Sequence, residues 1–272
     1  MQIILLRGLA REAGHWLEFP DYLHAVLGDH CQLHLVDFPG CGRYYQRDAL
    51  TSIAAMTDHA RAEFASALSS PLSSHNTPTS PVLLIGISMG GMVALDWAQR
   101  FPQELDGLTL INSSAGNQPF WWRLKPAAWP TMLRTMFAAP DTRESLVLKV
   151  VSNQRADYNL HLKRWLEIQQ QRPITRNTII TMLRAAAAFK PKADCRVQGL
   201  ILASEQDRMV SVRASRALAR QFQWPIYSHP SAGHDLPMDD PQWVAMQIKH
   251  WLDQHASNPI KIQCKRLQIY KY

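Results

Sequence analysis

An α/β chain with a mostly parallel sheet of about six strands, helices on both faces and an all-helical insert is what this sequence predicts. Three observations predict it. Short apolar, β-rich runs alternate with longer helical patterns, the mark of parallel strands joined by crossover helices. That alternation lapses between Pro119 and Lys190, where no strand-like run occurs. One strand-to-helix junction carries the run Gly86-Ile87-Ser88-Met89-Gly90.

In order along the chain, the runs Ile3 to Leu6, Gln32 to Val36, Val82 to Ile87, Leu108 to Ile111, Gly199 to Ala203 and Pro225 to His229 read as strands. Helices are expected near residues 15 to 27, 50 to 68, 89 to 100, 211 to 222 and 241 to 256, where apolar residues recur at helical spacing. Ser69 to Pro81 is rich in Ser, Pro and Thr and reads as a surface loop. The stretch 119 to 190 mixes aromatic residues with amphipathic patterns, as where Leu162, Trp165, Leu166 and Ile168 interleave with charged neighbours. The expected organisation is a core of residues 1–118 and 191–256, a helical cap of 119–190 and a basic tail of 257–272. No internal repeat occurs.

Composition limits the function classes. At 272 residues and 46% hydrophobic, the chain can bury one full core. Its net charge of +7 is uneven. Residues 119 to 190 hold twelve cations against four acids, an excess of +8, and the remainder is near neutral. Such an excess suits an acidic partner or a solvated helical surface; no nucleic-acid motif accompanies it, so no nucleic-acid partner is expected. Cys31, Cys41, Cys195 and Cys264 are scattered, without a paired-cysteine motif or a His cluster, which predicts free thiols and no metal or other cofactor. The N-terminal apolar run is too short for a signal peptide, and no stretch approaches bilayer-spanning length. A cytoplasmic chain without a membrane partner is expected.

The candidate chemistry centres on Ser88. In a G-x-S-x-G turn between strand and helix, small flanking residues allow the close approach that strains the serine and lifts its hydroxyl to a helix N-terminus. An alcohol is a weak nucleophile, so it requires a general base oriented by a third group. The elbow architecture orders these as Ser, then an acid, then His. Asp207 follows the strand ending at Ala203, with Glu205 as a rival acid. His234 follows the last strand in Ser231-Ala232-Gly233-His234-Asp235, whereas His15 and His229 read as structural or pocket-lining. Two backbone donors are needed for an oxyanion: the amide of Met89, after the nucleophile, and that of Leu9, in the Arg7-Gly8-Leu9-Ala10 loop. Trp16, Trp121, Trp122, Trp129 and Trp165 are candidates for an apolar substrate-binding surface, with packing between cap and core as the competing role. The predicted substrate is a small-molecule ester.

On these motifs, together with the Asp37-Phe38-Pro39-Gly40-Cys41-Gly42 loop, the chain resembles the α/β-hydrolase superfamily over nearly its whole length. It lacks the usual first two antiparallel strands, and Arg7 stands where members often carry His. Within the superfamily it is similar to small bacterial carboxylesterases with a helical cap, including the pimeloyl-ACP methyl ester esterase type. The resemblance implies the α/β-hydrolase fold and ester cleavage through an acyl-enzyme on Ser88, His234 and Asp207. It leaves open a thioesterase, a hydrolase of carrier-linked esters, or a non-catalytic ligand-binding homologue. It also implies an acidic acyl carrier protein as a partner for the basic cap.

Overall fold

The computed structural model describes residues 1–69 and 80–256. Six parallel strands, β1 (Gln2–Leu6), β2 (Gln32–Val36), β3 (Val82–Ile87), β4 (Gly107–Ile111), β5 (Gly199–Ser204) and β6 (Ile226–His229), form one sheet in the order β2-β1-β3-β4-β5-β6. The reversal of order at β1 and β3 puts Leu6 beside Gly86, so the loops after these two strands emerge together. In open parallel sheets, ligands bind at such a switch, off the carboxyl ends of the strands.

Strand β1 shows why these runs are continuous in hydrophobicity. Successive side chains point to opposite faces, and both faces are covered. Ile4 and Leu6 pack with Phe38, Met56, Met89 and Trp97 on one side; Ile3 and Leu5 pack with Trp16, Phe19, Val244 and Trp251 on the other. The first face is covered by α2 (Ile53–Leu68), α3 (Met89–Arg100) and α9 (Val212–Phe222), the second by α1 (Phe19–Leu27) and α11 (Pro241–Ala256). A short α10 (Leu236–Asp239) precedes α11.

Boundaries shift from expectation where caps and prolines act. The helix expected from residue 15 is a 3₁₀ turn at Ala13–Trp16, a break at Leu17 (φ 49°), then α1. Pro20, lacking an N–H, is tolerated only in a first turn, which restarts the helix there. The next helix begins at Ile53 because the Ser52 hydroxyl accepts from the Ala55 amide at 3.1 Å.

Between β4 and β5 run α4 (Phe120–Arg123), α5 (Trp129–Phe137), α6 (Pro140–Val151), α7 (Tyr158–Gln171) and α8 (Arg176–Ala188). They are fastened to the loops at the sheet's carboxyl edge. Lys125 N donates to Met209 O (2.7 Å), and Asp235 N donates to Val151 O (2.8 Å). Arg11, after β1, pairs with Glu144 on α6 at 2.6 Å. Among the described residues no helix is long and apolar enough to cross a membrane. Cys31, Cys41 and Cys195 are free thiols, while Cys264, most of the Ser69–Pro81 loop and the basic tail lie outside the described residues.

Candidate active site

Ser88 closes β3 and opens α3 with φ 55° and ψ −118°, a strained conformation for a residue bearing a side chain. The flanking glycines make the turn possible. A Cβ on Gly86 would lie 2.3 Å from Gly90 O, and one on Gly90 would lie 2.1 Å from Leu6 O. Gly8 approaches from the β1 loop, where a Cβ would sit 3.3 Å from Ser88 Cβ. The backbone of Ser88 is held at both ends: its N–H donates to Ile111 O (2.8 Å), and its carbonyl accepts from Ser113 Oγ (2.8 Å).

Asp207 and His234 meet across the ends of β5 and β6. His234 Nδ1 lies 2.7 Å from Asp207 Oδ2, and both residues are buried. The other carboxylate oxygen, Oδ1, accepts from the amides of Met209 (2.7 Å) and Val210 (2.9 Å), which fixes its direction. The rival acid Glu205 points elsewhere and pairs with Arg216 at 2.6 Å. Burial disfavours the charged imidazole. The Asp207 carboxylate opposes this as a charge and as a hydrogen-bond acceptor, Asp235 adds to it, and the balance holds the His234 pKa above its ordinary value. No hydrogen bond joins Ser88 Oγ to His234 among the described residues. Such contacts often tighten only when substrate is bound.

Neither the Leu9 nor the Met89 amide donates to a protein acceptor among the described residues, and Gly8, next to Leu9, abuts Ser88. The five tryptophans are not gathered in one place. Trp16 is buried under the Arg7 guanidinium, 4.8 Å from its ring centroid. Trp122 is half-buried, its carbonyl accepting from Ser211 N near the acid loop. Trp165 is wholly buried, edge-on to His15 and beneath Arg11. Trp121 and Trp129 face outward. His15 is itself buried, and burial followed by the charges of Arg11 and Arg7 lowers its pKa well below the usual value. His229 accepts from Ala232 N at 2.9 Å and so braces the loop that carries His234.

Two elements of the site were not foreseen. Arg7 forms a two-pronged pair with Asp235, Nη1 to Oδ1 at 3.1 Å and Nη2 to Oδ2 at 2.5 Å, with both side chains buried. This pair ties the Leu9 loop to the residue after His234, which settles what the side chain at position 7 bonds to. Asn112, in a left-handed conformation (φ 45°), lies buried between β4 and the His234 loop. Its Nδ2 donates to His234 O (2.8 Å), Gly233 O (3.3 Å) and Ser204 Oγ (3.0 Å), and its Oδ1 accepts from Ser204 N (2.8 Å). The readable signal was the polar run Asn112-Ser113-Ser114 directly after a buried strand at the ligand-binding edge.

Comparison with known proteins agrees with this architecture. Residues 3–247 match the sequence model of the alpha/beta hydrolase family. A pimeloyl-[acyl-carrier protein] methyl ester esterase of Yersinia enterocolitica is 27% identical over 87% of this chain and 92% of its own length. One from Xanthomonas axonopodis pv. citri is 30% identical over 82% of this chain and 74% of its own. Among solved structures, an esterase of Exiguobacterium antarcticum superposes with a TM-score of 0.72 at 14% identity, covering 93% of this chain and 92% of that one. A thermophilic esterase of Thermogutta terrifontis gives 0.68 at 20% identity, covering 93% and 90%.

Proposed function

The chain belongs to the alpha/beta hydrolase family, and on that premise we propose that it cleaves a carboxylic ester through an acyl-enzyme on Ser88, His234 and Asp207. The observation that carries this reading is the buried Asp207–His234 contact, on the sheet edge where Ser88 sits in its strained turn. In the first step His234 Nε2 takes the Ser88 Oγ proton as Oγ bonds to the acyl carbon. The carbonyl oxygen becomes an oxyanion, and the Leu9 and Met89 amides donate to it. His234 then returns the proton to the leaving alkoxide, which departs as the alcohol. In the second step His234 takes a proton from water as hydroxide adds to the acyl carbon; the C–Oγ bond then breaks while His234 returns that proton to Oγ, which gives the acid, free serine and a neutral His234.

The helices of residues 119–190 act as the cap that selects substrate. Trp122, half-buried beside the acid loop, serves as the apolar contact for the acyl group; Trp16, packed in the core beneath Arg7, supports the loop from below. The names of the relatives make a methyl ester on a carrier-linked acyl chain the favoured specific substrate, with an acidic acyl carrier protein as partner.

A fluorophosphonate probe should label the wild type and leave Ser88→Ala unlabelled. A panel of p-nitrophenyl esters and matched acyl thioesters, run beside Ser88→Ala, should show Ser88-dependent turnover with oxygen esters preferred in kcat/KM. Labelling that persists in Ser88→Ala would remove Ser88 from the mechanism, and a thioester preference would replace the esterase reading with a thioesterase.

A further inference from the structure

Helices α4 and α5 carry an apolar face that no part of the described structure covers. Residues 119–140 hold three tryptophans, two phenylalanines and three cations, Arg123, Lys125 and Arg134, with no acid. On α5, Trp129, Leu133 and Phe137 recur every fourth residue, so they line one side of the helix over about 12 Å. They are 44%, 64% and 72% exposed, while Ala128 and Thr135 take the inward side. Phe120, on α4, sets its ring 5.5 Å from that of Trp129 and extends the stripe. Trp121 beside it is 59% exposed.

Large apolar side chains scattered singly on a surface need no account, but a contiguous stripe of this size marks an interaction site. Two cations rim it. Arg134, next to Leu133, is exposed and makes no ion pair among the described residues. Arg176, at the start of α8, donates to Phe137 O at 3.3 Å and likewise has no acidic partner there. The next acid along the chain after this stretch is Asp141, in the opening turn of α6.

We propose that the α4–α5 face docks on an anionic phospholipid surface, its aromatic stripe entering the interfacial zone while Arg134 and Arg176 meet lipid phosphates. Tryptophan and phenylalanine suit the boundary between headgroups and acyl chains, and unpaired cations are drawn to a negative leaflet. A second copy seated face to face would bring the same two arginines together with no acid to receive them. An acidic protein would answer the two cations but would have to present a matching apolar strip to five large side chains. Peripheral docking requires no spanning helix. It therefore goes beyond the expectation of no membrane partner, which rested on the lack of a spanning segment.

The test uses the full chain as Ser88→Ala, so that hydrolysis plays no part and failure of the esterase reading leaves it intact. Co-sedimentation is measured with vesicles of phosphatidylcholine alone and of phosphatidylcholine mixed with phosphatidylglycerol. The mixed vesicles should bind, and pure phosphatidylcholine should bind several-fold more weakly. Leu133→Glu/Phe137→Glu should weaken binding by more than about tenfold and Arg134→Gln by about fivefold. In the Ser88 background the double variant should keep its far-ultraviolet circular dichroism and its single thermal transition, which separates a lost surface from a lost fold. Absence of binding to either vesicle, or binding that the double variant leaves unchanged, would overturn the proposal. So would a dimer that the double variant dissolves without any vesicle binding, or capture of an acidic acyl carrier protein by this face in place of vesicles.

Discussion

Asp207 does three things with one carboxylate: it accepts two backbone amides on Oδ1 and faces His234 Nδ1 with Oδ2. Replacing it with Asn keeps the shape but presents an amide where a charge is required. Asp207→Asn is expected to lower kcat by about 10³–10⁴-fold. It should also move the acid limb of the pH profile. A general base works when unprotonated, and His234 is held above 6.5, so wild-type kcat/KM should rise with pH through a midpoint on the alkaline side of 6.5. The midpoint in Asp207→Asn should lie below the wild-type one. The same raised value contributes stability that is present below the unfolded pKa and is lost as pH climbs through the folded one. Asn112 offers a second test at this scale. Asn112→Ala strands the carbonyl oxygens of Gly233 and His234 and the Ser204 amide, which should cost about 1–3 kcal/mol of stability. A kcat that falls while KM holds would assign Asn112 to positioning of the base. Equal change in both, or in neither, would leave it a purely structural clamp. The strained turn at Ser88 and the placement of His234 beside Asp207 were legible from spacing and chain order because the elbow demands particular residue types. Asn112 could not, since its role comes from loops that meet only after the sheet forms.

Elements were legible in proportion to how local their causes are. Strands buried on both faces announce themselves as apolar runs, as β3 does over its whole length, whereas the partly buried edge strand β2 reads as an alternating one. The break at Leu17 depends on Pro20 and a capping turn, so a continuous helical pattern hides it. The charge of the insert was visible, but its use was not. Arg172 bonds Glu12 on the β1 loop (Nε to Oε1, 2.9 Å), Arg164 pairs with Glu18, and Arg143 donates to Gln169 Oε1 and Ile174 O. Part of the excess therefore fastens these helices to the core and to each other, which no count of charges reveals. Between the loops that carry Leu9 and His234, the Arg7–Asp235 pair plays the corresponding part. Removing one member of a buried pair leaves an uncompensated charge, so Arg7→Ala should destabilise by about 3–5 kcal/mol. Arg7→Ala/Asp235→Ala should recover part of that loss in chemical denaturation while its turnover stays low, because the Leu9 loop and the His234 loop are no longer tied. A double variant no more stable than Arg7→Ala would show that the pair is not what the single substitution disrupts.

At the scale of the whole molecule, the helices of 119–190 contact the loops after β1, β5 and β6, and the main bonds at those junctions are part-buried. Asp239 shows the coupling in one side chain: Oδ1 accepts from Ser152 Oγ (2.6 Å), and Oδ2 accepts from Asn153 N (2.9 Å) and Gly233 N (2.6 Å). The end of α6 and the loop that carries His234 thus share one carboxylate. Arg11 and Glu144 make a second junction, with Glu144 4% exposed at the side chain and Arg143 3.6 Å away on its other side. An insert joined in this way should not melt by itself. Thermal unfolding is expected to give one transition, with tryptophan fluorescence and far-ultraviolet circular dichroism coincident, since Trp165 belongs to the insert and Trp16 to the core. Glu144→Gln leaves two arginines beside a neutral amide, at a cost of about 3 kcal/mol. For a chain of this size the midpoint should fall by about 6–12 °C with the transition still single. If fluorescence instead separates from circular dichroism in the wild type, the insert unfolds independently, and the junctions at Asp239 and Glu144 are too weak to couple it to the sheet. If the two separate only in Glu144→Gln, the Arg11–Glu144 contact is itself the coupling.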